Sequence, residues 1–212
     1  MSLRLLSALS GLLILAAANS QAAPVEGTDY TELNPPQATD SPGKVEVIEF
    51  FWYRCPHCYA LEPQLEAWVK RLPPDVQFKR VPGILNDEWA VDARIFYALE
   101  AIGEVNRLHR AFFDAIHQGG GVRLHGDAFG KWAAEWLAKQ KVDMAKYDAA
   151  LHSFSVESKL RRASQMARSY RLDGVPGISV QGRYLVAAST TMLATTDSLI
   201  GEARKQLAKA KP

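Results

Sequence analysis

Val45-Glu46-Val47-Ile48-Glu49-Phe50-Phe51-Trp52-Tyr53-Arg54-Cys55-Pro56-His57-Cys58 is the stretch whose reading decides the architecture. Residues 45–52 are β-branched and aromatic on both alternating faces, the pattern of a central strand covered on each side. From Pro56 the period changes. Tyr59, Leu61, Leu65, Trp68, Val69 and Leu72 recur at helical spacing until Pro73-Pro74 stops them. Residues 76–81 read as a second core strand, which completes a strand, helix, strand unit whose strands are expected to run parallel. The two cysteines are thereby predicted at the start of the crossover helix.

Working outward, residues 24–43 are polar and broken by Pro35-Pro36, so they read as a loose arm with a short strand over 30–33. Downstream, helical spacing appears in Ile95/Leu99/Ile102, Val105/Leu108/Phe112, Phe129/Trp132/Trp136, Met144/Tyr147/Leu151 and Leu160/Ala163/Ala167/Tyr170. These predict a block of about five helices with no strand inside it. After Tyr170, Gly174-Val175-Pro176-Gly177 makes a loop, and residues 178–180 and 183–186 form a hairpin about Gln181-Gly182. A last helix is expected to begin at Thr196-Asp197. The fold class is α/β, with a mixed central sheet interrupted by an all-helical insertion. The boundaries read 1–22 signal peptide, 23–43 arm, 44–83 first part of the sheet domain, 84–171 insertion and 172–212 second part.

Arg4 followed by an apolar run to Ala18 and small residues to Ala23 has the layout of a secretory signal peptide, with cleavage after Ala22 or, alternatively, Ala23 or Ser20. Export to an oxidising compartment follows. Arg4 is the only charge ahead of the cut, so the formal net charge of +2 falls to +1. That balance argues against nucleic acid as a partner, and the basic residues near Arg161-Arg162 and the C-terminus read as solvated helix faces.

Cys55 and Cys58 are the only two cysteines among 212 residues. A disulfide across two intervening residues restricts the unfolded chain little, and a chain that is 48% hydrophobic has core enough without it. Chemistry is the better reason for the pair. A c-type haem site requires histidine directly after Cys58, where Tyr59 stands. A zinc site requires two more ligands, and His109, His117, His125 and His152 show no such spacing. No metal and no cofactor are expected. A thiolate at a helix N-terminus is stabilised by free backbone N–H groups, and Arg54 and His57 are expected to add positive charge, so Cys55 should ionise easily. A stabilised thiolate makes the corresponding disulfide a stronger oxidant. Cys58, one turn further in, is the expected resolving partner. Glu49 lies in a strand read as buried on both faces, where a carboxylate is unfavourable unless paired or protonated; a raised pKa would suit a proton shuttle to Cys58.

Val47-Ile48-Glu49-Phe50-Phe51, Cys55-Pro56-His57-Cys58-Tyr59, Gly174-Val175-Pro176 and Gly182-Arg183-Tyr184, in this order, resemble the DsbA family of periplasmic thiol:disulfide oxidases in the thioredoxin superfamily. The resemblance runs over about residues 30–209. It implies a thioredoxin fold with a helical insertion, Cys55 as nucleophile within the motif it shares with Pro56 and His57, Cys58 as resolving thiol, and a cis bond before Pro176. It also implies that the backbone of Val175 holds a peptide strand, and that Glu49 matches a buried glutamate of the family. Arg80 falls where a lysine partner of that glutamate is often found; arginine holds its proton, so a charge pair is expected rather than a Glu–Lys relay. The function implied is that of a monomer in the periplasm that oxidises reduced, unfolded exported proteins and is reoxidised by a membrane quinone-linked partner resembling DsbB. A disulfide isomerase or reductase, or a non-catalytic thioredoxin-like binding or chaperone module, are the alternatives.

Overall fold

Every residue of strand β2 (Val45–Phe51) is buried, as its two-faced apolar pattern predicts, and this strand lies in the interior of the sheet with a neighbour on each side. In the computed structural model, which describes residues 23–209, β3 (Val76–Pro82) runs parallel to β2 along one edge. Along the other edge lies β4 (Gly177–Val180), antiparallel. β5 (Tyr184–Ala187) and the short β1 (Thr31–Glu32) extend the sheet, for an order of β1-β5-β4-β2-β3. The signal segment expected at 1–22 lies outside the described residues.

The crossover from β2 to β3 is helix α1 (Pro56–Val69), which starts inside the cysteine motif and continues through Pro63. Between β3 and β4 the chain forms α2 (Asp87–Ala101), α3 (Val105–Gln118), α4 (Gly126–Lys139), α5 (Met144–Leu151) and α6 (Phe154–Ser169). These are the five helices that the apolar spacing marks out, with one 3-10 turn at Gly121–Arg123 added between α3 and α4. Asn86, Asp143 and Ser153 start α2, α5 and α6 by accepting from the backbone N–H three residues on.

The fold is therefore thioredoxin-like, a mixed sheet with a helical insertion, and the chain builds two apolar cores around it. One joins Val45 and Val47 of β2 to Leu65 and Trp68 of α1, to β4 and β5, and to α7 (Met192–Lys209). The other joins Ile48, Phe50 and Phe51 to the insertion helices through Phe96, Phe112, Phe113 and Phe129. Both cysteines belong to this second core, while Leu65 and Trp68 further along α1 belong to the first.

The β4–β5 turn places Gln181 and Gly182 both at positive φ (54° and 61°), the primed turn whose twist suits a two-residue hairpin. Only glycine fits at 182, since a Cβ there would stand 2.2 Å from the Gln37 carbonyl oxygen. The close approach lets the Gln37 N–H donate to the Gly182 carbonyl at 2.7 Å, tying the N-terminal arm to the sheet.

One boundary differs from the sequence expectation. The last helix begins at Met192 rather than at Thr196-Asp197, because neither polar residue caps it. Thr196 Oγ1 donates back to the Met192 carbonyl at 2.8 Å inside the helix, and Asp197 accepts from the Trp68 indole N–H at 2.8 Å. Polar side chains bonded within a helix or across to a neighbouring one imitate a start signal.

Candidate active site

Cys55 is the N-cap of α1, with extended backbone, and Pro56 opens the helix where its missing N–H would have had no intrahelical partner. The Cys58 N–H donates to Cys55 Sγ at 3.4 Å. Interaction with the Cys58 thiol is the largest influence on Cys55, opposed by burial and aided by the backbone N–H groups of Cys58 and His57 and by the charge of His57. Together they hold the Cys55 thiol down at about 6. Cys58 responds in the opposite sense: it is fully buried, and burial first, then the adjoining Cys55, pushes its thiol well above the usual range. The two free thiols thus differ sharply in acidity, and the acidic one is 6% exposed while its partner is 0% exposed.

The loop before β4 closes over Cys55. The Val175–Pro176 bond is cis, and the Val175 carbonyl accepts from the Cys55 thiol at 3.4 Å. Gly83, just past β3, makes room for this loop: a Cβ at Gly83 would come within 2.9 Å of Val175 Cγ1. His57 is exposed beside the pair.

Beneath the pair lies a buried polar chain. Glu49 on β2 faces Arg80, its register partner on β3, with Oε2 3.1 Å from Nε. Arg80 Nη2 donates at 2.6 Å to Oε1 of Glu62 on α1, and the same oxygen lies 3.5 Å from Nε2 of His109 on α3. His109 Nδ1 is 2.9 Å from the Tyr53 hydroxyl. Burial dominates at Glu49 and pushes its carboxyl up to about 8, against the opposing pull of Arg80. Burial also resists ionisation of Glu62, but the neighbouring His109 and Arg80 outweigh it and keep Glu62 below the usual carboxylate range. One guanidinium serves two carboxylates, and it holds Glu62 ionised.

Arg54, expected to lend its charge to Cys55, turns into the protein instead. It is 2% exposed; its Nη2 and Nε donate to Asp92 at 2.8 and 3.1 Å, and its Nη1 donates to Glu88 at 2.9 Å and to the Leu124 carbonyl at 2.6 Å. Its guanidinium carbon lies 5.0 Å from the Trp52 ring and 4.6 Å from the Phe129 ring. The charge is neutralised by α2, and the residue pins the turn ahead of Cys55 to the insertion. Arg54→Met is expected to cost about 3 kcal/mol in a urea melt, because it strands a buried Asp92; adding Asp92→Leu should recover most of that loss.

Glu62 and His109 are absent from the sequence-based list of site residues, yet each carried a signal. Glu62 lies four residues after Cys58 and three before Leu65, so it interrupts the buried face of α1 with a carboxylate. His109 adjoins Leu108 and precedes Phe112 by three, placing a polar ring on the apolar face of α3. Among the described residues, no group of three or more His, Cys, Asp or Glu side chains is placed to hold a metal ion, and no helix is long and apolar enough to cross a membrane.

Residues 80–197 match the family model of a DSBA-like thioredoxin domain. The thiol:disulfide interchange protein DsbA of Burkholderia cepacia is 42% identical over 192 residues, covering 89% of this chain and 89% of that protein. A match of that extent takes in Cys55 to Cys58. The protein of the same name from Pseudomonas aeruginosa PAO1 is 36% identical over 181 residues, 83% of each chain. Among solved structures, oxidoreductase DsbA from Xylella fastidiosa superposes with a TM-score of 0.79 at 33% identity, covering 87% of this chain and 100% of that one. Pseudomonas aeruginosa DsbA gives 0.77 at 35% identity, over 84% and 93%.

Proposed function

We infer, from the premise that this chain belongs to the DSBA-like thioredoxin family and is a thiol:disulfide oxidoreductase, that it works as an oxidase, donating the Cys55–Cys58 disulfide to newly exported proteins. A substrate thiolate attacks Cys55 Sγ, the Cys55–Cys58 bond breaks, and its electron pair leaves on Cys58 Sγ, which takes a proton. A second substrate thiolate then attacks its own sulfur in the mixed disulfide and expels Cys55 as a thiolate. The substrate dithiol is oxidised by two electrons and the enzyme pair is reduced by two.

The observation that carries this direction is the acidity of Cys55. A thiol held at about 6 instead of 9.0 stabilises the reduced pair by about 1.4 kcal/mol at pH 7, or about 30 mV, an upper bound that solvent screening lowers. Ease of leaving works the same way: the sulfur expelled in the second step is the acidic one. Val175, whose carbonyl already faces Cys55, offers the backbone that would align an extended substrate strand with little regard to its side chains.

The remaining assignments follow from this reading. Pro56 and His57 tune Cys55, Glu49 supplies the proton that Cys58 takes, and Val175 and Pro176 form the substrate-binding loop. Residues 44–83 and 172–212 make up the thioredoxin domain around the insertion 84–171, preceded by a signal peptide over 1–22 and an arm over 23–43. The protein acts as a monomer in the periplasm on reduced, unfolded exported proteins, needs no cofactor, and is reoxidised by a quinone-linked membrane partner of the DsbB kind.

The test is a redox equilibrium of the purified mature protein with glutathione, read by alkylation of Cys55. A midpoint well above that of thioredoxin, which is about −270 mV, is expected. A midpoint at or below it would replace oxidase by reductase.

A further inference from the structure

We propose that His109 is a positioning residue of the thiol chemistry, the alternative seat for the single exchangeable proton held by the buried Glu49–Arg80–Glu62–His109 chain. The inference rests on the thiol–disulfide reading above and adds to it a group two residues removed from the glutamate beneath the cysteines.

Glu49 and Glu62 are both 0% exposed, and the one cation between them is Arg80. A buried pair is tolerable; a buried carboxylate in excess is not, so the chain must carry one further proton. Glu49 is one place for it. Both of its carboxyl oxygens lack a hydrogen-bond donor, and its contact with Arg80 Nε falls short of a hydrogen bond, as suits a neutral carboxyl.

His109 is the other place. Its Nδ1 lies 2.9 Å from the Tyr53 hydroxyl, which can donate or accept there, and its Nε2, without a hydrogen-bond partner, faces Glu62 Oε1 at 3.5 Å. Beside that carboxylate the neutral ring carries its proton on Nε2 and accepts from Tyr53 at Nδ1; a second proton at Nδ1, with the hydroxyl turned to accept, makes the ring a cation and its contact with Glu62 charge-assisted. The surroundings of the ring leave few other influences. α1 presents Glu62 and, further off, Glu66; β3 presents Arg80; the turn after β2 presents Tyr53. Phe51, Phe96 and Phe113 pack edge-on to its faces and carry no charge. Burial keeps the ring below the usual imidazole range, so it is neutral while Glu49 holds the proton.

When Cys58 leaves as a thiolate, the proton on Glu49 passes to Cys58 Sγ and Glu49 becomes a carboxylate. Arg80 is then divided between two anions, Glu62 is less compensated, and His109 Nδ1 takes a proton from solvent. The chain is uncharged before and after.

Linkage makes the proposal measurable, because two seats for one proton must affect one another by the same factor. In full-length mature protein labelled with nitrogen-15 histidine and carbon-13 glutamate, the wild-type His109 ring should show two protonation steps, a partial one coinciding with the step at Glu49 and a second at lower pH. Glu49→Gln should abolish the first and leave the second, and His109→Gln should return the whole of the shared step to Glu49. The rate at which glutathione thiolate opens the Cys55–Cys58 bond should fall about tenfold in His109→Gln. A ring that only fills space would show no such reciprocity. Absence of the shared step at wild-type His109, or its survival in Glu49→Gln, overturns the proposal, and this arm stands even if His109→Gln does not fold. Failure of the wild-type pair to exchange with glutathione would remove the oxidoreductase reading instead, whatever the titrations give.

Discussion

Cys55→Ser protein is expected to show no turnover of a reduced, unfolded substrate, with Cys58 unable to take over. A hydroxyl forms no disulfide, and the thiol that remains is the wrong one. At pH 7 a group held at about 6 is roughly 90% thiolate, whereas a thiol above 9 is less than about 1% ionised, a ratio of about 100 before access is considered. Access sharpens it, because Cys58, on the inner face of α1, is 0% exposed. The complementary Cys58→Ser protein has no disulfide to donate and should not oxidise a reduced substrate; offered oxidised glutathione, its Cys55 thiolate attacks one sulfur, expels the other as glutathione thiolate, and should remain as a mixed disulfide because no Cys58 thiolate is present to displace it. Both results are read by mass spectrometry of acid-quenched, alkylated samples. Turnover surviving in Cys55→Ser would reverse the roles of the two thiols and, with them, the oxidising direction.

The frame of this site is legible in the sequence because each of its parts is written locally. A strand apolar on both faces, a proline after the first cysteine and an apolar stripe ending at Pro73-Pro74 place Cys55 at a helix start without reference to the rest of the chain. The five insertion helices are likewise declared by their own periodicity. The electrostatics are long-range, and there the sequence reading falls short. Arg54 is next to Cys55 in the chain, yet its partners are Glu88 and Asp92 on α2 and the Leu124 carbonyl, so adjacency misstates which sulfur or carboxylate feels its charge. Glu62 and His109 are polar residues on otherwise apolar faces; each is ordinary alone, and they acquire meaning when β2, β3, α1 and α3 converge on Arg80. Arg80 opposite Glu49 was open to sequence reasoning because two adjacent parallel strands put them in register. The third and fourth members required the tertiary structure.

Glu49→Gln is expected to stabilise the reduced protein by about 3 kcal/mol at pH 7 while slowing the opening of the disulfide by about 100-fold. Two properties usually lost together should therefore separate. The stability effect has a definite sign. Between pH 4.5, where the carboxyl of the unfolded chain releases its proton, and about 8, where the folded one does, the native state holds a proton that the unfolded state has lost. Stability then falls with rising pH by about 1.4 kcal/mol per unit, and at pH 7 that has accumulated to about 3 kcal/mol. An amide of the same shape does not titrate, so the variant escapes the penalty; at pH 4 both states of the wild type hold the proton and the two proteins should melt alike. Urea melts of both proteins in excess reductant at pH 4 and pH 7 measure the difference. The kinetic effect arises from the same proton. Glu49 at about 8 is a general acid at neutral pH, and a positioned acid is worth about 10² to 10⁴ in rate; the low end fits a sulfur leaving group that needs less help than an oxygen. A variant destabilised at pH 7 would mean that Glu49 is ionised and paired with Arg80, leaving Cys58 without a nearby acid. The burial that makes Glu49 unfavourable for the fold is thus the same physical cause that keeps its proton available to Cys58 at the pH where exchange occurs.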